Sequence, residues 1–224
     1  MLRKDKFVSG EYYHIYNRGI DKRIIFHDKQ DKERFLMLLY IANSEDNLKL
    51  DNLTHNLHKQ YKEIMSLKKG KQLVSIVGWC LMPNHFHILI KQDLEEGITK
   101  FMRKLGVGYS MYFNNKYKRQ GALFGGPFKS KLIEDDSYFR KLFSYIHLNP
   151  LEIKFPQWEE NISLKNKSIE MENFLKSYIY SSYQDYTDIN RTESSILNKD
   201  ISKYYFDVEH SFKNFIKQYL EIIS

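Results

Sequence analysis

The chain carries one cysteine, Cys80, so no disulfide can form within it, and a lone thiol fits a reducing compartment. No apolar run approaches the length needed to cross a bilayer. The basic opening Met1-Leu2-Arg3-Lys4-Asp5-Lys6 is followed by no apolar stretch of the secretory kind. These absences exclude disulfide-stapled secreted domains and helical membrane proteins, and the expectation is a soluble cytoplasmic protein without membrane contact. Internal repeats and low-complexity tracts are missing too. The absence with most chemical content is local: from Gly97 to Ile133 there is neither aspartate nor glutamate.

That acid-free stretch holds Lys100, Arg103, Lys104, Lys116, Lys118, Arg119, Lys129 and Lys131, which together outweigh the net charge of +7 carried by all 224 residues. The rest of the chain is therefore close to neutral. Phe101, Tyr109, Tyr112, Phe113, Tyr117, Phe124 and Phe128 are interleaved with these cations. Cations that track phosphates, with aromatic faces on which bases stack, are what a single-stranded nucleic-acid groove requires. The plainer reading is a solvated helix face over core aromatics; the absence of acids beside a candidate metal site favours nucleic acid. Arg18, in the turn after the first strand, is a further candidate contact.

Periodicity sets the organisation. Tyr12-Tyr13-His14-Ile15-Tyr16 has strand composition, and Asn17-Arg18-Gly19 turns the chain. Phe35, Leu38, Leu39 and Ala42 recur at helical spacing. Across the polar stretch from Asn43 to Gln72, Leu50, Leu53, Leu57, Tyr61 and Ile64 predict a second, more exposed amphipathic helix, inserted before the next strand. Leu73 to Met82 reads as a strand, hairpinned by Pro83-Asn84 onto another. Gly97 to about Lys118 reads as helix, weakened by Gly106 and Gly108. Phe124 to Ile133 reads as a short strand after a glycine-rich turn. Asp135-Asp136-Ser137 offers an N-cap for a helix to Leu148, which Asn149-Pro150 should stop.

The expected fold class is thus α+β: a central antiparallel sheet packed by helices. One domain spans 1–155, with 43–72 as an inserted helical segment, and 156–224 forms a helical C-terminal extension. The extension holds Tyr178, Tyr180, Tyr183 and Tyr186 and an amphipathic stretch from His210 to Ile223.

The most informative segment is Met82-Pro83-Asn84-His85-Phe86-His87-Ile88-Leu89-Ile90. On a strand, alternate side chains share a face, so His85, His87 and Leu89 point one way and Phe86, Ile88 and Ile90 the other. Two imidazoles about 7 Å apart at Cα can converge on one metal ion. The spacing equally allows two unrelated polar positions. On the helix that ends at Leu148, Tyr145 and Asn149 lie one turn apart on one face, with His147 pointing elsewhere. If that face meets the histidines, Asn149 can offer a third ligand and Tyr145 a nucleophile; otherwise Tyr145 is one of 17 tyrosines that pack. A phenol with pKa near 10 attacks poorly at neutral pH unless the phosphodiester is polarised by a divalent cation.

Tyr13-His14-Ile15-Tyr16-Asn17-Arg18-Gly19, Trp79-Cys80-Leu81-Met82-Pro83-Asn84-His85-Phe86-His87 and Tyr145-Ile146-His147-Leu148-Asn149-Pro150 occur in this order. Together they resemble the HUH single-tyrosine transposases, and in particular the REP-associated tyrosine transposases. The likeness runs from about residue 10 to 155 and weakly through Ser181-Ser182-Tyr183-Gln184-Asp185-Tyr186. The resemblance implies a ferredoxin-like core and recognition of single-stranded DNA, often with a hairpin. It also implies cleavage that leaves a 5′ phosphate on tyrosine and a free 3′ hydroxyl, followed by rejoining. By position, Tyr145 matches the nucleophile, His85 and His87 the paired histidines, and Asn149 the polar third ligand; the implied metal is Mg²⁺ or Mn²⁺.

One departure stands out: Gly125-Gly126-Pro127-Phe128 lies where relatives commonly carry an arginine before the phenylalanine, and Pro127 offers no backbone donor. Tyr109 and Tyr112 are rival nucleophiles by reactivity, but they sit in an apolar helical stripe. His14 shares a strand face with Tyr12 and Tyr16 and could approach the site or bind DNA, though the plainer reading is an ordinary sheet residue; His55 and His58 carry no assigned role, and Cys80 reads as a small hydrophobe. A domesticated, non-catalytic nucleic-acid-binding protein is the alternative, and a replication initiator or relaxase fits the motif order less well. Monomer and homodimer are both left open.

Overall fold

The structure, a computed structural model, describes residues 6–46, 57–158, 160, 167–187, 189–201, 214 and 216. Four strands, β1 (Tyr12–Arg18), β2 (Val74–Met82), β3 (His85–Gln92) and β4 (Lys129–Leu132), form one sheet in the order β2-β3-β1-β4. Every neighbouring pair is antiparallel. Helices α1 (Lys29–Ile41) and α2 (Leu57–Met65) connect β1 to β2, α3 (Gly97–Lys116) connects β3 to β4, and α4 (Asp136–Leu148) follows β4. This is the expected α+β arrangement with a ferredoxin-like strand order.

Both faces of the sheet are covered, as the near-continuous apolar run of β2 demands. One face presents Ile15, Trp79, Leu81, Phe86, Ile88 and Ile90 to Phe35, Leu39, Phe101 and Leu105 of α1 and α3. The other presents Cys80, Met82 and Leu89 to Phe139, Phe143 and Ile146 of α4. A shift in the β2–β3 register between Ile76 and Gly78 inserts a bulge. There Gly78 faces α4 so closely that an added Cβ would stand 3.3 Å from His147 Cε1.

Gly108 does not break α3. It lets α1 approach, since a Cβ there would lie 3.0 Å from Leu38 Cδ2. At the turn after β1, a Cβ on Gly19 would lie 2.4 Å from the Arg23 carbonyl oxygen, so the glycine of Asn17-Arg18-Gly19 is sterically required. α4 begins where expected, with the Asp135 carboxylate accepting from the Tyr138 amide at 2.7 Å.

α4 ends at Leu148 as expected, and Asn149 and Pro150, both with helical dihedrals, lead into a separate short helix α5 (Leu151–Lys154), because proline at a helix start has no N–H to lose. α2 is the amphipathic helix expected: Tyr61, Ile64 and Met65 are buried in the core and Lys62 and Glu63 are exposed, while Leu50 and Leu53 lie outside the described residues. Of the stretch Phe124 to Ile133, only Lys129–Leu132 is strand; Phe124 makes one isolated bridge with Gly19. Phe101, Tyr109 and Phe113 are core residues rather than base-stacking groups.

The C-terminal part closes the free edge of β2. The Leu81 amide donates to the Tyr180 carbonyl, the Trp79 amide to Ser182 Oγ, and the Asn198 amide to the Ile76 carbonyl. Tyr178 and Tyr186 donate their hydroxyls to the carbonyls of Leu81 and Val77. An open edge is a template for unwanted pairing, and this one is covered. A further helix, α6 (Ser168–Ser177), precedes that segment, and the stretch from His210 to Ile223 lies almost wholly outside the described residues.

Candidate active site

Strand parity brings the site together. His85 and His87 of β3 face α4, and the antiparallel register sets Tyr16 opposite His87 and His14 opposite Leu89, so both β1 side chains share that face. α4 buries Leu142, Phe143 and Ile146 against the sheet and leaves Tyr145 at the margin, 44% exposed. The Tyr145 ring stands edge-on to His87 with centroids 5.4 Å apart, and 6.4 Å from His14. The rings of His85 and His87 are 5.0 Å apart and perpendicular.

Hydrogen bonds fix how the rings present their nitrogens. Asn84 Nδ2 donates to the Lys22 carbonyl at 3.0 Å, which orients its amide and turns Oδ1 toward His85 Nδ1, 2.6 Å away. His85 therefore carries its proton on Nδ1 and keeps a lone pair on Nε2. His87 Nδ1 lies 2.9 Å from His14 Nε2. His87 Nε2 and Asn149 Oδ1 are buried with no hydrogen-bond partner among the described residues, although the Asn149 side chain also reaches His85.

The electrostatics keep these rings neutral. Burial, reinforced by Lys131, pushes His14 down to about 4. Burial and then Arg18 push His85 down to about 4, against an opposing hydrogen bond with Asn149. Burial, with His14 and His85 nearby, holds His87 well below its ordinary value. Neutral imidazoles and an amide oxygen are donors a cation could use, and buried acceptors without partners are what such a site shows before it is filled. The donor set suits Mg²⁺ or Mn²⁺ through the amide oxygen and zinc through the imidazoles, so it does not choose the ion. Among the described residues no cluster of three or more His, Cys, Asp or Glu able to hold a metal occurs.

Tyr145 borders three adjoining cavities of about 380, 390 and 390 Å³. Lys131 and Lys141 line the first, Arg18 and Lys129 the second, and Arg18, Asn149 and Glu152 the third. Gly125, Gly126 and Pro127 wall the second cavity, and Asn17 Nδ2 donates to the Gly126 carbonyl at 3.1 Å. The glycine-proline turn thus sits at the site even though Pro127 brings no donor.

Of the cations singled out in the sequence, Arg18, Lys129 and Lys131 line these cavities. The others lie on or after α3, across the sheet. Lys100 pairs with Glu96 at 3.8 Å, and Arg103 borders a groove of about 480 Å³ with Met102, Val107 and Met111 that meets the second cavity at Asn17, Gly126 and Pro127. Lys104 donates to the carbonyls of Ser44 and Asp46, Lys116 bridges Asp28 and Asp31, and Arg119 holds Asn114 and the Ala122 carbonyl. Lys118 is exposed at a positive φ of 50°. The acids that meet α3 come from distant segments, so a window free of acids is not a surface free of acids. Sequence reasoning missed Lys141 and misjudged His14; pairing β1 with β3 is the signal that would have found His14.

His147 does point away from the face that carries Tyr145. It is fully buried, donates from Nδ1 to the Phe143 carbonyl at 2.7 Å and accepts at Nε2 from Ser182 Oγ at 2.7 Å. Its role is to lock α4 to β2 and the C-terminal segment.

No curated protein sequence matches the chain. Among solved structures, one described as a REP-associated tyrosine transposase bound to a REP hairpin matches with a TM-score of 0.51 at 10% identity, over 86% of this chain and 90% of that one. At that identity the likeness speaks for the fold. The family model described as transposase, IS200 like, matches residues 7–149, from just before β1 to Asn149, and the chain belongs to that family.

Proposed function

We propose that this transposase-family protein is a single-stranded DNA endonuclease and strand transferase with Tyr145 as its nucleophile. The observation that carries this reading is the half-exposed Tyr145 ring, 5.4 Å from His87, whose Nε2 is buried without a hydrogen-bond partner among the described residues, beside Asn149 and His85. His85, His87 and Asn149 would hold the ion, and a bound Mg²⁺ or Mn²⁺ would supply positive charge to the non-bridging oxygens of the scissile phosphate.

The chain's own residues do the rest. Tyr145 Oη attacks phosphorus, forming a phosphotyrosine bond, while the bond from phosphorus to the 3′ oxygen breaks. The phenolic proton leaves to solvent through the open cavities, and the departing 3′ oxygen takes up a proton there. The 5′ phosphate stays on Tyr145 until an incoming 3′ hydroxyl reverses the step, which joins a new strand and restores the phenol. Arg18, Lys129 and Lys131 are placed to grip flanking phosphates, and holding the strand in line with the phenol removes much of the entropic barrier. The structural neighbour is bound to a REP hairpin. A single strand bearing a hairpin is accordingly the substrate proposed here.

The test is covalent attachment of an end-labelled hairpin oligonucleotide with Mn²⁺, read on a denaturing gel. Wild type should form an adduct that EDTA prevents. Tyr145→Phe should bind the oligonucleotide and form none. An adduct with the Phe variant, or full activity in EDTA, refutes the assignment.

A further inference from the structure

We propose that His14 is a positioning residue for His87. Its Nε2 accepts the Nδ1–H of His87 and so keeps the His87 Nε2 lone pair turned toward the metal position, an inference that rests on the functional reading above.

The contact between His14 Nε2 and His87 Nδ1 is 2.9 Å, which requires one proton between the two nitrogens. Two arrangements satisfy it. If His14 donates, neutral His87 carries its second proton on Nε2, a buried atom with no acceptor in hydrogen-bonding reach. If His87 donates, Nε2 is a lone pair. The same cluster holds the His85 Nε2 lone pair, fixed by Asn84, and the Asn149 side chain that reaches His85. A protonated Nε2 would be a buried donor with nothing to donate to, whereas a lone pair can join those donors on a cation, so the second arrangement is the one a bound metal selects. Metal-bound histidines commonly give their other N–H to such a partner, which sets tautomer and ring angle.

The seat of His14 is built for this. It is 8% exposed, lies against Tyr16 at 4.8 Å and 29°, and meets His87 edge to edge, the centroids 5.1 Å apart and the ring planes within 22° of parallel. Tyr16 lies against His87 as well, at 5.9 Å. The imidazole plane is therefore clamped with its Nε2 aimed at the His87 ring edge. An apolar residue would fill the volume but could not accept the proton.

The experiment titrates Mn²⁺ alone into the full chain by calorimetry, for wild type, His14→Phe and His14→Gln. The ring-sized Phe keeps the packing and removes the acceptor; Gln restores an acceptor oxygen. The expected result is about 10- to 100-fold weaker Mn²⁺ binding for Phe, with most of the loss recovered by Gln. Oligonucleotide binding without metal should be equal in all three. Wild-type affinity in the Phe variant, or a folded Gln variant as weak as Phe, overturns the proposal. A second measurement needs no variant: imidazole ¹⁵N shifts of the metal-free wild type should show His87 protonated at Nδ1, and protonation at Nε2 overturns it. Mn²⁺ binding without adduct formation would sink only the role of Tyr145, and a wild type that binds no Mn²⁺ would sink both readings.

Discussion

Replacing Ser182 by alanine removes one oxygen that three parts of the molecule share. Ser182 Oγ accepts from the Trp79 amide at 2.9 Å on the edge of β2 and donates to His147 Nε2 at 2.7 Å on α4. The donation is forced, because His147 already donates from Nδ1 to the Phe143 carbonyl. Trp79, His147 and Ser182 are each 0% exposed, so no water replaces the lost partner without rearrangement. Ser182→Ala leaves an amide donor and an imidazole acceptor buried and unpaired, at about 1–3 kcal/mol apiece and roughly 2–6 kcal/mol together. For a chain of this size each kcal/mol lowers Tm by about 2–4 °C, so a fall of roughly 4–24 °C is expected. Urea unfolding followed by circular dichroism should show a lower midpoint at unchanged slope. A loss below about 0.5 kcal/mol would show that the three-way hydrogen bond contributes nothing net, and the account of what holds α4 would fail.

The same histidine makes the fold acid-sensitive. Burial, with Arg191 nearby, depresses His147 from 6.5 to about 3, so the unfolded chain takes up a proton there that the folded one refuses. Stability should be intact above pH 6.5 and fall by about 1.4 kcal/mol per pH unit below it, or roughly 2 kcal/mol by pH 5 from this group alone; equal urea midpoints at pH 7 and pH 5 would contradict it. Mutating Lys129 and Lys131 together to alanine should reduce the log–log salt slope of single-strand binding by about 1.4, whereas Lys104→Ala, which loses a structural contact, should leave the slope alone. Gly19→Ala, which must push aside the Arg23 carbonyl, should cost about 1–3 kcal/mol in urea unfolding. A chain cut after residue 155 should aggregate, seen as light scattering, because the β2 edge loses its cover; a monodisperse, folded fragment would show the extension to be dispensable.

Local pattern carried the sequence reading far. Strand composition located β1, the Pro83-Asn84 turn located the β2–β3 hairpin, helical spacing located α1 and α3, and Asp135 marked the start of α4. The imidazole pair and the Tyr145–Asn149 spacing were legible because strand and helix periods decide which side chains share a face. What escaped depends on contacts between distant segments. His14 became part of the site only through the antiparallel register of β1 on β3. Lys104, Lys116 and Arg119 became structural because carbonyls and carboxylates from other elements meet them. The short helix α5 escaped because a proline that closes one helix can open the next.

The closure of β2 by residues beyond the family-matched stretch has a chemical consequence. Those residues also grip His147, two positions along α4 from Tyr145. The pose of that phenol is thus inherited from a downstream strap, and on the reading proposed above a change in the strap would retune the phenol's approach without altering any residue of the candidate site.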